Sequence, residues 1–258
     1  MEQEYDWPAD AYAIGSFIQK TIADRYFSSV KISANAHVLD IGCGNGAYSR
    51  NILAQVPNGV VVGLDTSEAM LKLAEQVKKE YPQFQLQLGN VQSLGDSQRF
   101  DWVTSFWCLQ WTKDIREAFS HMAKALKTGG QLFTLFPSGT DPFITTYYTL
   151  RDSGLYPQLQ DFKPPMSYDN LDNLQEKLKD LPFKKLNIQQ INTSLTLPDL
   201  STFRNFVQGI AFYQGQMTAH EVEILNDAMV ENYDRYCQTH YAGQYLFECG
   251  IYLVSGEK

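Results

Sequence analysis

The residues with the clearest chemical implication lie in "HVLDIGCGNGAYS", residues 37–49. Gly42, Gly44 and Gly46 alternate behind an apolar run (Val38, Leu39, Ile41) and ahead of a helix-forming stretch from Ala47 to about Gln55. Glycine placed this way lets the chain turn sharply and lets a ligand come close to the backbone. The loop satisfies G-x-G-x-x-G/A as Gly42-Cys43-Gly44-Asn45-Gly46-Ala47, and Asp65 follows at the spacing of a ribose-binding acid. A dinucleotide is therefore one candidate. A tight connection with no ligand is another, although three alternating glycines exceed what it needs.

Asp40 moves the balance. It stands two residues before the first glycine, at the tip of the apolar run. A carboxylate there repels a pyrophosphate and suits a ligand carrying positive charge. S-Adenosylmethionine has no phosphate; it carries an ammonium and a sulfonium, and its carboxylate can use the loop amides at a helix N-terminus. Asp65, at the end of the next apolar run, can accept both ribose hydroxyls of such a ligand.

These residues need a scaffold, and the hydrophobic pattern supplies one. Strand and helix patterns alternate from residue 9 to about 137, which argues a parallel sheet covered by helices. An amphipathic helix is expected over 9–30, strands near 37–41, 60–64, 84–88, 100–105 and 130–136, and helices near 47–55, 67–80 and 114–126. Ser67 is placed to cap the second of these. "KTGG", residues 127–130, reads as a helix stop and a turn. Residues 137–182 are loop-rich, with Pro137, Pro142, Pro157, Pro164 and Pro165 among short helical pieces. A strand near 184–197, helices near 199–213 and 218–240, and a last strand near 244–254 follow. The last two strands alternate polar and apolar residues, which fits an antiparallel addition at the sheet edge.

"VLDIGCGNG", "GLDTSEAML", "GNVQSL" and "FDWVTSFWCLQW…LKTGGQLF", in that order and spacing over residues 37–137, resemble the class I S-adenosylmethionine-dependent methyltransferases. The resemblance implies an α/β, Rossmann-like, seven-stranded, mostly parallel sheet with an antiparallel last strand, helices on both faces and a helical cap. It also implies a single methyltransferase domain over 1–258: an N-terminal helical segment (1–34), a cofactor-binding core (35–137) and a cap from 138–182 and 198–243. Asp40, Gly42, Gly44 and Gly46 would line the methionine end of the cofactor and Asp65 the ribose, with Thr66 and Ser105 also in the cofactor site. Asn90 and Val91 would meet the adenine edge, Asn90 standing where an aspartate is commoner.

"SFWCLQW" offers neither a metal ligand set nor a general base for a catechol or alcohol, and it is not the Asn/Asp-Pro-Pro-aromatic motif of amide and base N-methyltransferases. A carboxylate needs neither, being ionised at neutral pH. The segment, together with "IREAFSHMAKALKTGG" and the opening "DAYAIGSFIQK", is similar to the carboxyl methyltransferases of juvenile hormone acid, trans-aconitate and malonyl-carrier protein. By that likeness Gln19 and Trp111 would hold the acceptor carboxylate, with Tyr12 beside it. Trp107 reads as packing. Phe143, Tyr147, Tyr148, Tyr156, Phe162, Phe203, Phe206, Phe212 and Tyr213 suggest an apolar roof and hence a hydrophobic small or medium acid. Methylation at nitrogen or carbon, or a non-catalytic protein that binds the cofactor, are the alternatives.

The 258 residues carry a net charge of −8, with no cluster of Lys and Arg on one helix. Nucleic acid and anionic membranes are poor partners for such a surface. "MEQEYDW" is unlike a signal peptide, and no apolar stretch is long enough to span a bilayer. Cys43, Cys108, Cys237 and Cys249 show no C-x-x-C spacing and read as free thiols in a reducing, cytoplasmic setting; the four histidines show no metal-ligand spacing. The expected partner is a small-molecule acid, with no metal.

Overall fold

A computed structural model describes residues 8–93, 98–166 and 168–258. It divides into two compact units. One comprises the chain up to Ile22 with Gly139–Pro165 and Asn192–Ile251; the other comprises Ala23–Ser138, Met166–Ile191 and Tyr252–Lys258.

Seven strands form one sheet: β1 (His37–Ile41), β2 (Val60–Asp65), β3 (Phe84–Leu88), β4 (Phe100–Phe106), β5 (Leu126–Pro137), β6 (Lys185–Thr196) and β7 (Leu246–Glu257). Their order is β3-β2-β1-β4-β5-β7-β6. The β1–β2, β1–β4, β2–β3 and β4–β5 pairs are parallel, with Val38 opposite both Val61 and Trp102. β7 runs the other way. Near its end Lys258 exchanges backbone bonds with Gly129 and Gly130 (2.8 and 3.0 Å), whereas the Gly250 N–H reaches the Thr140 carbonyl at 2.7 Å. The antiparallel strand thus lies inside the edge, and β6, parallel to β1–β5, is the edge itself. The order reverses between β1 and β4. The crevice beyond the carboxyl ends of those strands is where such a sheet binds ligands.

Local sequence explains the helices around this crevice. In α4 (Glu68–Glu80), Met70, Ala74 and Val77 fall on one face and are buried, and the Ser67 hydroxyl caps the helix by accepting the Met70 N–H at 3.1 Å. In α5 (Ile115–Ala125), Asp114 accepts the Glu117 N–H, and Ile115, Ala118, Phe119 and Met122 fill the core.

Several elements differ from the sequence expectation. The helix expected over 9–30 is two, α1 (Ala9–Gly15) and α2 (Phe17–Phe27). Gly15 is a site of close packing: a Cβ there would stand 2.3 Å from the Asn205 carbonyl oxygen on α8 (Leu200–Gly209). The helix after the glycine loop, α3, covers only Ser49–Leu53. "KTGG" is no turn outside the strand. It lies within β5 as a bulge, with Gly129 at φ 78° and Phe100 opposite Leu126 while Trp102 is opposite Gln131. Glycine takes that conformation without a steric penalty. The loop-rich stretch holds α6 (Pro142–Asp152) and α7 (Leu174–Leu178), and α9 (Ala219–His240) starts with a Thr218–Glu221 capping box.

Most of the aromatics expected to form a roof are packing material for the first unit. Phe143, Tyr147, Phe162, Phe203, Phe206, Phe212 and Tyr213 are all buried. Phe212 lies 5.0 Å from Phe143 and from Tyr147, centroid to centroid, and Phe203 stacks on Tyr233 at 3.9 Å. These rings are occupied with one another.

Candidate functional site

Within the sheet unit a cavity of about 330 Å³ opens at the carboxyl ends of β1, β2 and β4. Its walls include Gly42 after β1, Asp65 and Thr66 after β2, Asn90 and Val91 after β3, and Cys108 and Trp111 after β4. Six of the site residues expected from the sequence (Gly42, Asp65, Thr66, Asn90, Val91 and Trp111) therefore share one cavity, of a size that small-molecule sites commonly have.

The glycines do three different jobs. Gly42, at φ 71°, sits where a Cβ would fall 2.3 Å from the Cys108 sulfur, so its absence lets the β1 and β4 loops meet. Gly44, at φ 55°, donates its N–H to Asp65 Oδ2 at 2.8 Å. At Gly46 a Cβ would press on Phe84 and Val77 at 3.1 Å, so glycine lets the loop pack on β3 and α4. The loop amides are also spent internally. Gly42 and Cys43 donate to the Leu64 carbonyl (2.7 and 3.2 Å), Gly46 to the Cys43 carbonyl (3.0 Å) and Ala47 to Asn45 Oδ1 (3.1 Å). These bonds fix the shape of the loop.

Asp65 ties that shape together. One carboxylate oxygen accepts from Gly44 and the other accepts the Ser67 N–H at 3.0 Å. These two backbone bonds orient the carboxylate.

Asp40 and Ser105 lie beneath the cavity. Asp40 is 2% exposed; it accepts the Ser49 hydroxyl at 2.6 Å and the Thr104 hydroxyl at 3.0 Å. It pins the start of α3 and the middle of β4 to β1, which differs from the ligand-facing position expected. The Ser105 hydroxyl donates to the Ile41 carbonyl at 2.9 Å and joins the same two strand tips. Burial pushes the Asp40 carboxyl up to about 6, against hydrogen bonds that pull it down. Displacement from 3.8 to about 6 corresponds to roughly 3 kcal/mol. The unfolded chain releases this proton as the pH passes about 4, while the folded chain keeps it to about 6. Stability from this group is therefore complete below about pH 4 and lost as the pH rises to about 6. Asp40→Asn should flatten that part of the stability–pH curve, measured by urea unfolding between about pH 4 and 7; an unchanged slope would mean that Asp40 does not titrate there.

The turn after β4 contributes what the sequence alone did not flag. Trp107 has φ 56°, costly for a bulky side chain. Its N–H reaches the Leu135 carbonyl at 2.8 Å, and the Gln110 amide donates to its carbonyl at 2.9 Å. The kink swings Cys108 and Trp111 to the cavity wall, and strain of this kind clusters at functional segments. Cys108, read only as a buried thiol, lines the cavity; burial, with Asp65 nearby, pushes its thiol up to about 12, so it is no thiolate. Its place one turn ahead of Trp111 was the usable signal in the sequence. Among the described residues the cavity wall carries no histidine, and its two carboxylates, Asp65 and Asp114, both hold backbone N–H groups. Tyr12 (on α1) and Gln19 (on α2) belong to the other unit. Among the described residues no cluster of His, Cys, Asp or Glu could hold a metal ion.

Residues 38–130, which hold the glycine loop after β1 and the acid at the tip of β2, match the methyltransferase domain family. That stretch carries the methyltransferase domain, and the chain is similar to curated methyltransferases. It is 28% identical over 155 residues to malonyl-[acyl-carrier protein] O-methyltransferase 1 of Ilyobacter polytropus, covering 59% of this chain and 56% of the other. It is 33% identical over 106 residues to trans-aconitate 2-methyltransferase of Deinococcus radiodurans, covering 41% and 40%. The chain thus spans about half the length of the curated relatives it matches. The crystal structure of the YcgJ protein from Bacillus subtilis superposes with a TM-score of 0.59 at 18% identity, covering 93% of this chain and 98% of the other, a likeness of fold.

Proposed function

We propose that this chain transfers the methyl group of S-adenosylmethionine to a carboxylate oxygen of a small acid. The observation that supports the reading is the cavity wall, which Asp65, its carboxylate held by the Gly44 N–H, shares with the indole of Trp111. The cofactor, when bound, supplies an electrophilic methyl on a sulfonium. The work left to the chain is positioning, which can be worth roughly 7–11 kcal/mol of barrier. Gln19 and Trp111 are proposed to orient the acceptor through neutral N–H donors, which hold a carboxylate without adding a full positive charge that would blunt its nucleophilicity. Tyr12 is proposed to line the acceptor side. The names of the relatives, one an O-methyltransferase and the other a methyltransferase of trans-aconitate, support the same class of acceptor. The four free cysteines suit a reducing, cytoplasmic setting. Among the described residues no helix is long and apolar enough to cross a membrane.

A panel of mono-, di- and tricarboxylic acids of graded length, assayed for S-adenosylhomocysteine release, tests this. Methyl ester formation with at least one acid is expected. Cofactor binding without turnover on any acid would point to a non-catalytic binder, and turnover confined to amines or carbon acids would replace the carboxylate reading.

A further inference from the structure

One stretch after β4 supplies Cys108, Trp111, Thr112, Lys113 and Asp114 to the wall of the cavity at the glycine loop. Its first half folds on local bonds. The Trp111 N–H donates to the Cys108 carbonyl at 3.0 Å, and the Thr112 hydroxyl and N–H donate to the Leu109 carbonyl at 2.8 and 3.2 Å. The second half runs into α5, whose first N–H groups have no partner within the helix. Asp114 takes the Glu117 N–H at 2.9 Å. The Ile115 N–H and the Thr112 carbonyl are met from 55 and 58 residues further along the chain, by Asn170. Its Oδ1 accepts the Ile115 N–H at 3.1 Å and its Nδ2 donates to the Thr112 carbonyl at 2.9 Å. A primary amide carries the donor and the acceptor that this pair of bonds needs; an ionised carboxylate has only acceptors and an ammonium only donors.

Asn170 is itself held. It lies in the turn Tyr168–Leu171, and the buried Leu171 belongs to the hydrophobic cluster that contains Leu109 and Ile115. Lys177, on α7, donates from Nζ to the Asp169 and Asn170 carbonyls at 3.1 and 2.7 Å. Arg116, on α5, donates in turn to the Lys177 carbonyl. All of these residues belong to the sheet unit. A side chain supported in this way transmits its own fixed place to the groups it bonds.

We infer that Asn170 is a positioning residue: its amide fixes the turn from Thr112 to Ile115 and, through it, the place of Trp111 on the cavity wall. The effect on rate rests on the proposed methyl transfer; the placement of Trp111 does not. Fluorine NMR of the whole chain labelled with 5-fluorotryptophan reads that placement directly. Of the four tryptophans, Trp111 and Trp102 are assigned by the resonances that Trp111→Phe and Trp102→Phe remove. Trp102, paired with Val38 inside the sheet, is the internal control. In Asn170→Ala the Trp111 resonance should shift or broaden while that of Trp102 stays. Asn170→Asp keeps the size and an acceptor for Ile115 but sets an oxygen against the Thr112 carbonyl. It should do the same, and it serves if Asn170→Ala does not fold. Arg116→Gln loosens the contact of α5 with α7 and spares both Asn170 side-chain bonds, so Trp111 should stay in place.

With an acid that the wild-type chain methylates, both Asn170 variants should lower kcat by about ten- to a hundredfold with a smaller change in KM, since about 1 Å of misplacement costs up to roughly a hundredfold. Arg116→Gln should keep the wild-type rate. A Trp111 resonance unmoved in the folded Asn170 variants overturns the inference whatever their activity. So does an unchanged kcat where the resonance has moved, or an equal effect of Arg116→Gln. Turnover of no acid by the wild-type chain dismisses the methyl-transfer reading instead, and the resonance alone then decides on Asn170.

Discussion

Asp65→Ala should weaken S-adenosylmethionine binding by roughly 1.5–3 kcal/mol, or about 10- to 150-fold, the value of hydrogen bonds made to a charged group. The carboxylate stands at the cavity wall, its two oxygens held by the Gly44 and Ser67 N–H groups at 2.8 and 3.0 Å. Alanine removes the proposed ribose acceptor and also releases the loop that the carboxylate shapes. Asp65→Asn separates the two effects, because an amide oxygen can still accept one of the backbone bonds while the charge is gone. Calorimetry on both variants, with thermal unfolding as a control for the fold, measures the difference. Unchanged affinity in a folded Asp65→Ala protein would remove Asp65 from the site.

The second large effect concerns the acceptor. Trp111→Phe keeps most of the ring that lines the cavity and deletes the N–H, so cofactor affinity should hold while methyl transfer slows. A charge-assisted hydrogen bond that acts in the transition state is worth about 1.5–3 kcal/mol, roughly 10- to 150-fold in rate. Gln19→Ala should do the same. A loss in kcat with KM little changed is the signature of a transition-state contact. Full activity of Trp111→Phe on the best acid would dismiss the carboxylate clamp and leave Trp111 as a wall.

Much of the scaffold was legible because it rests on short-range chemistry. β1 spans residues 37–41 as its apolar run implies, and Ser67 caps α4 as its position ahead of a periodic helix implies. The close packing at Gly15 was not legible, because the Asn205 carbonyl that it meets lies far along the chain. Nor was the bulge in "KTGG": the same residues that stop a helix also permit a positive φ inside a strand, and only pairing with β4 selects the second.

The candidate site divides along the same line. Residue types and spacing alone determined a strand–glycine loop–helix, an acid at the next strand tip and an aromatic turn after β4, since each is written within a few consecutive residues. Which way those residues face was decided only by the tertiary structure. Asp40 turns inward because its partners are hydroxyls 9 and 64 residues away, and Gly44 meets Asp65 across 21 residues. Gly46 packs on α4 and β3, and the aromatics of the first unit are absorbed by one another. A buried carboxylate takes whatever donors the assembled fold brings to it, because leaving it unpaired costs more than any local preference can offset. That choice exists only once the strands are side by side.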